Sequence, residues 1–248
     1  VFGAGTTGGV MFIGEGPGLE EEQTGDPAVG ASGALLRQVL AKLGLESYYI
    51  TNIVACRSCA VQLDEKQQPI FRKNWQTKQM GLVYKDEPPT PPQYNACLAR
   101  LYEEIYLVDP TVIVGLGGKV VEALTRRPAT ITRDRGEPTQ IEIPGASWRA
   151  KLTDKKQSWL RRSKEGTFAP VEQNTVRYYF LPTLPPSYVI RKFADRAPDS
   201  PFYLFLNDLR TAIRTHEVHQ ELVHGVLPTT EMRTDDQIIH NELQFQGE

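Results

Sequence analysis

The residues able to do chemistry sit where apolar runs break off into unusual loops. Val10-Met11-Phe12-Ile13 leads straight into Gly14-Glu15-Gly16-Pro17-Gly18, and far downstream Tyr178-Tyr179-Phe180-Leu181 leads into Pro182-Thr183-Leu184-Pro185-Pro186-Ser187. The first loop carries a carboxylate, Glu15, which when ionised and in reach can act as a general base. The second carries prolines and hydroxyls and no histidine. In open α/β sheets ligands bind beyond the carboxyl ends of the strands, so these loops predict two walls of one pocket. The plainer alternative is a tight strand-to-helix turn whose glutamate is satisfied by the N–H groups of its own loop. Three cysteines, Cys56, Cys59 and Cys97, are an odd number and do not suggest a disulfide framework. They are either buried small apolar residues or part of a metal site with further ligands elsewhere.

The elements that must position these loops alternate along the chain. A buried strand is expected near 10–14, then a helix N-capped by Ser32, with Leu35, Leu36, Val39, Leu40 and Leu43 on one stripe and Gly44 as its stop. Tyr48 to Val54 reads as a second strand. The stretch 57–91 is rich in Gln, Lys and Pro without clear periodicity and reads as an insertion loop. A helix bearing Cys97, Leu98, Leu101, Tyr102 and Ile105 follows and ends at Asp109-Pro110. Thr111 to Gly115 is a third strand, opening through Leu116-Gly117-Gly118 into a helix with Val120, Val121 and Leu124. Residues 139–143 read as one arm of a hairpin and 176–182 as a fourth strand. Phe202, Phe205, Leu206, Leu209 and Ile213 mark a last amphipathic helix. This order predicts an α/β fold, three layers α/β/α around a four-stranded parallel sheet.

Composition narrows the function classes. Hydrophobic residues make up 40% and charged residues 23%, ordinary for a globular protein, and no apolar run is long enough for a membrane helix. No basic-then-apolar leader opens the sequence, so the expected location is intracellular, cytoplasmic. The abrupt start at Val1-Phe2-Gly3 reads as a piece of a longer polypeptide, covalently joined to further domains. Net charge is only −2, so a nucleic-acid partner must be met by a local basic face. Arg149, Lys151, Lys155, Lys156, Arg161, Arg162 and Lys164 against the single acid Asp154 form such a run; it reads either as a solvated loop or as a footprint for phosphates.

Two familiar motifs fail in detail. A dinucleotide fingerprint would need glycine where Leu19 stands, and Pro17 removes a phosphate-facing N–H. A P-loop would need Ser or Thr after Lys119, where Val120 stands, and glycine in place of Ile113.

Six elements in order carry a resemblance: Gly14-Glu15-Gly16-Pro17-Gly18 with Glu20-Glu21-Glu22; Thr24-Gly25-Asp26-Pro27-Ala28-Val29-Gly30; Thr51-Asn52-Ile53-Val54-Ala55-Cys56-Arg57; Cys97-Leu98; Val112-Ile113-Val114-Gly115-Leu116-Gly117; and Thr183-Leu184-Pro185-Pro186-Ser187-Tyr188-Val189-Ile190-Arg191. Together they resemble the iron–sulfur, family-four branch of the uracil-DNA glycosylase superfamily, from Val1 to about Ile213. The resemblance implies a glycosylase-like domain over 1–215, with insertions at about 57–91 and 149–172, then a polar tail or linker over 216–248.

The resemblance implies that a base is flipped out of DNA, single-stranded or locally unpaired, and its glycosidic bond hydrolysed. Glu15 would position or activate the attacking water, and Gly16 would line the base. Asn52 would pair with the pyrimidine edge, since an amide both donates and accepts. Two positions depart from the family pattern. Ala28 stands where an aromatic ring stacks on uracil, and Pro185 stands where a histidine donates to the base oxygen that gains charge. All four histidines, His216, His219, His224 and His240, lie beyond the matched region. The expectation is therefore excision of a flipped uracil or a bulkier modified base, or else an inactive glycosylase fold kept for DNA binding or as a scaffold within a larger replication or repair protein. A small-molecule or nucleotide-binding α/β domain is the reading from a different class. Ser187, Tyr188 and Arg191 match the loop pressed against the minor groove and phosphates, with Val189 or Ile190 as an apolar wedge. Cys56 and Cys97 match two of four ligands of a 4Fe-4S cluster, with the other two expected upstream of residue 1 and Cys59 incidental.

Overall fold

The computed structural model describes residues 1–73, 78–144, 175–193, 195 and 197–224. The basic run 149–164, most of the proposed tail and the insertion 149–172 fall outside them.

A six-stranded sheet organises the chain in the order β1 (Ala4–Gly5), β3 (Tyr48–Asn52), β2 (Val10–Gly14), β8 (Val112–Leu116), β10 (Thr175–Thr183), β9 (Thr139–Pro144). The four central strands β3, β2, β8 and β10 are parallel, as the alternation of strands and helices predicts. Two antiparallel edge strands add to them: β1 on β3, and β9, the expected hairpin arm, on β10. Both strands are short or polar on one side, so their sequence carries little signal.

Helices cover both faces because each central strand is apolar on both. In β2, Val10 and Phe12 face the layer of α2 (Ala31–Lys42), α6 (Pro186–Arg191) and α7 (Pro201–His224). Met11 and Ile13, alternating with them, face α3 (Pro91–Val108) and α4 (Gly118–Thr125). The stripe Leu35, Leu36, Val39 and Leu40 fills the first layer, and Leu98, Leu101 and Ile105 fill the second.

Local chemistry sets the ends differently from expectation in three places. Helix α2 is N-capped by Gly30, not Ser32, because the buried Glu21 carboxylate of α1 (Leu19–Thr24) accepts from the Gly30 N–H at 2.9 Å. The stretch 57–91 is not a plain loop. It folds into β4 (Cys59–Val61), β5 (Phe71–Lys73), β6 (Met80–Leu82) and β7 (Tyr84–Asp86), paired as two small antiparallel ribbons. Their side chains are mostly exposed, so no apolar alternation announces them. The last helix runs on to His224, past residue 216, where the polar tail or linker was expected to begin.

A buried ion pair locks the end of β10. Asp208 of α7, 2% exposed, pairs with Arg135 after α5 (Ile131–Asp134) and accepts from the Thr183 hydroxyl at 2.6 Å. Arg135 also donates to the Leu204 carbonyl at 2.8 Å. Removing one partner of such a pair leaves the other charge buried and uncompensated. Asp208→Ala should therefore lower folding stability by about 3–5 kcal/mol in a denaturation curve; a loss below about 1 kcal/mol, the worth of an exposed pair, would contradict the role.

Candidate functional site

The central parallel strands end on one edge of the sheet, and the segments following β2, β3 and β10, with Leu116 at the end of β8, line a cavity of about 750 Å³. Glu15, Gly16, Ala28, Asn52 and Pro185 all line it. The two loops singled out by sequence thus face one hollow. Ser187 and Arg191 line it too, and both are exposed. Tyr188 does not line it; its half-buried ring packs against the core of the α2 layer. Val189 is completely buried in that core, which rules it out as a wedge, while Ile190 is only partly buried.

Glu15 is held from the neighbouring helix rather than by its own loop. Its Oε1 accepts from the backbone N–H of Lys119, at the start of α4, at 3.3 Å. The turn into α4 makes room for it. Gly117 has φ +113°, and a Cβ there would stand 2.5 Å from Glu15 Oε1, so a side chain would displace the carboxylate. Burial pushes the Glu15 carboxyl above its ordinary range, and the Lys119 N–H and ammonium partly offset this. The result is a half-buried carboxylate with a raised pKa in a cleft, the profile expected of a proton-accepting group.

Asn52 ends β3 directly across from Gly14. Its amide lies over that glycine, where a Cβ would come within 2.4 Å of Asn52 Oδ1. The side-chain amide has no hydrogen-bond partner among the described residues, leaving both its donor and its acceptor for a ligand. Its backbone is clamped from below. Arg100 of α3 donates to the carbonyls of Asn52 at 2.5 Å and Ile53 at 3.3 Å, and pairs with Glu104. Glu104 in turn accepts from the hydroxyls of Thr51 and Tyr49, both at 2.9 Å.

The remaining two positions are the ones without function-bearing atoms. Ala28, at φ 56°, offers a methyl group, and Pro185, at φ −69° and ψ 136° before α6, offers neither an N–H nor a side-chain donor. No described histidine compensates. His216 Nδ1 lies 2.5 Å from the Thr111 hydroxyl at the opposite end of β8, and His219 stacks edge-on against Tyr179 with ring centroids 6.0 Å apart.

Several contributors were missed by the sequence reading. Ser58, Asp86, Glu87, Pro88 and Pro89, from the supposed insertion loop, form one wall of the cavity. Arg57 pins that wall, with its Nε 2.5 Å from Asp86 and its guanidinium 3.5 Å from Glu22. Glu21 staples the two turns beside Glu15 and Ala28, accepting from Gly18 N at 3.0 Å as well as from Gly30 N. The acidic triplet Glu20-Glu21-Glu22 was visible; that its middle member is buried was not.

The cysteines do not build a metal site by themselves. Cys56 is exposed after β3, Cys97 is half-buried on α3, and Cys59 is exposed on β4 opposite Asp86. Among the described residues no group of three or more His, Cys, Asp or Glu is placed to hold a metal ion.

Comparison with known proteins agrees with this architecture. The family model described as the uracil DNA glycosylase superfamily matches residues 2–210. The type-4 uracil-DNA glycosylase of Thermotoga maritima is 33% identical over 132 residues, which are 52% of this chain and 56% of that protein. The corresponding enzyme of Archaeoglobus fulgidus is 30% identical over 139 residues, 54% and 57% of the two chains. That of Saccharolobus solfataricus is 49% identical over a shorter stretch of 51 residues. The chain thus spans little more than half the length of the first two relatives.

Proposed function

We propose that this chain, which belongs to the uracil-DNA glycosylase superfamily, takes an everted pyrimidine nucleotide of DNA into the cavity between the β2, β3 and β10 loops and hydrolyses its glycosidic bond, slowly for plain uracil. The observation that carries this reading is the convergence of Glu15, Asn52, Ala28 and Pro185 on one cavity. In this scheme the Asn52 amide reads the base edge, and Gly16 lines the cavity beside it. Ionised Glu15 aligns a water against the sugar carbon. The water oxygen bonds to that carbon and gives its proton to the Glu15 carboxylate, the bond to the base nitrogen breaks, and the base leaves as an anion with the bonding electrons. Its oxygen gains negative charge, and Pro185 offers that oxygen no hydrogen bond. Ser187 and Arg191 meet the flanking phosphates at the rim.

The lack of a donor at Pro185 favours one second reading, a pocket that holds an everted base without cleaving it. Abasic-site formation on single strands carrying uracil or C5-substituted uracils separates the two: cleavage of any of them supports hydrolysis, and salt-sensitive binding with none cleaved supports a holding domain. Binding of neither would overturn both.

The pH profile adds a sharper test. Catalysis needs Glu15 ionised, and burial raises its pKa above the ordinary 4.5. Excision should therefore fall as pH drops, with a midpoint displaced upward from the ordinary carboxylate value. A rate independent of pH from acid to neutral would contradict Glu15 as the base.

A 4Fe-4S cluster, implied by the family-four resemblance, needs four thiolates. Cys56 and Cys97 would supply two. The Val1 amine donates to the Ala55 carbonyl at 2.7 Å, so chain extending upstream of Val1 would begin beside Cys56. The described residues alone do not complete such a site, and no step above passes through it.

A further inference from the structure

We infer that the outer face of the β4–β7 arm is a second nucleic-acid contact, a platform on which the unpaired strand next to the everted nucleotide stacks. This rests on the DNA reading above. Strands β6 and β7 are consecutive and joined through Val83, whose N–H donates to Ile70 O at 2.9 Å and whose carbonyl accepts from Gln62 N at 2.8 Å. Alternate residues of an extended segment share a face, so Met80, Leu82, Tyr84 and Asp86 form a row at about 7 Å spacing. Asp86, at one end of the row, lines the cavity. The row therefore leads away from the cavity where a flanking strand must run.

The register widens the row into a surface. Phe71 stands opposite Leu82, and Lys73 opposite Met80. Phe71 is 56% exposed, Met80 62%, Tyr84 48% and Leu82 38%. Single exposed apolar residues need no explanation, but three together on the β5–β6 ribbon, continued by Tyr84 on the adjoining β7, do. Their charge environment selects the occupant. Over β4 to β7, residues 59–86, the arm carries Lys66, Arg72, Lys73, Lys78 and Lys85 against Asp64, Glu65 and Asp86, in a chain of net charge −2. Lysine is depleted in protein–protein interfaces, whereas exposed rings interleaved with cations are the chemistry that holds single-stranded nucleic acid.

The test is anisotropy of a short fluorescein-labelled single strand with one central uracil, titrated with the full chain at low and moderate salt. Phe71→Ala combined with Tyr84→Ala should weaken binding about tenfold or more, the value of ring–base stacking. Lys73→Ser, on the face of Met80, should flatten the salt dependence by about 0.7 in log–log slope, one phosphate no longer neutralised. All three side chains are exposed, so thermal midpoints should match the parent. Parent-like affinity and salt slope in both variants would overturn the platform while leaving the pocket reading intact. A parent chain that does not bind DNA would overturn both. A ring variant with unchanged DNA affinity but an altered oligomeric state would mark the face as a protein contact and overturn the proposal.

Discussion

Uracil excision by an Ala28→Phe, Pro185→His variant should exceed that of the parent chain by about 10²–10³-fold. Most of the gain belongs to position 185. As the glycosidic bond breaks, charge collects on the base oxygen, and a preorganised donor aimed at that oxygen stabilises the transition state more than the ground state. Pro185 lines the cavity in extended geometry that histidine adopts without strain, and its missing N–H means no backbone hydrogen bond is broken by the exchange. The ring at position 28 adds a stacking surface. Ala28 already sits at φ 56°, so phenylalanine meets a backbone state that an L residue occupies there now. The single Pro185→His variant should carry most of the rate, and the single Ala28→Phe variant should chiefly tighten substrate binding. A folded, DNA-binding double variant with no gain would mean that position 185 does not face the leaving base.

Glu15→Gln placed in that active background should reduce excision by about 10²–10⁴-fold, the range for removing a general base, with DNA affinity kept. Stability separates this from a structural role. Because the folded pKa of Glu15 lies above its unfolded value, the unfolded chain releases the proton first as pH rises. The contribution of Glu15 to stability is thus greatest in acid and declines through the raised folded pKa, so at neutral pH a buried charge is being held at a cost. The glutamine variant, keeping an acceptor for the Lys119 N–H without the charge, should melt no lower than the parent. A variant that loses both activity and thermal stability would mark Glu15 as a structural carboxylate.

The sequence made the centre of the fold legible because the central strands are apolar on both faces and the helices between them carry one stripe. Val10 to Ile13 and Leu35 to Leu43 could hardly be read otherwise. The loops after β2 and β10 were legible as pocket walls for the same reason, since a buried parallel sheet sends its loops to one edge. What stayed hidden depends on long-range packing. Gly117 looked like part of a helix start, and only the packed structure reveals that its missing side chain houses Glu15. Arg100 lies off the apolar stripe of its helix and carries no local signal, yet it fastens the backbone of Asn52 from the adjacent layer. The arm at 57–91 hid because its strands are only three residues long and solvated, so neither length nor alternation distinguishes them from loop. Its role as a cavity wall follows from Arg57 meeting both Glu22 and Asp86, residues far apart in sequence that no local pattern links.

On this reading one nucleobase occupies the space bounded by Glu15, Asn52, Ala28 and Pro185. A crystal structure of the Glu15→Gln chain bound to a single strand with one uracil tests it most directly. The uracil ring should lie inside that cavity, its polar edge within hydrogen-bond distance of the Asn52 amide and no protein donor at the oxygen facing Pro185. Bound DNA with the uracil still stacked on its neighbours, or lodged elsewhere on the surface with the cavity empty, would contradict it.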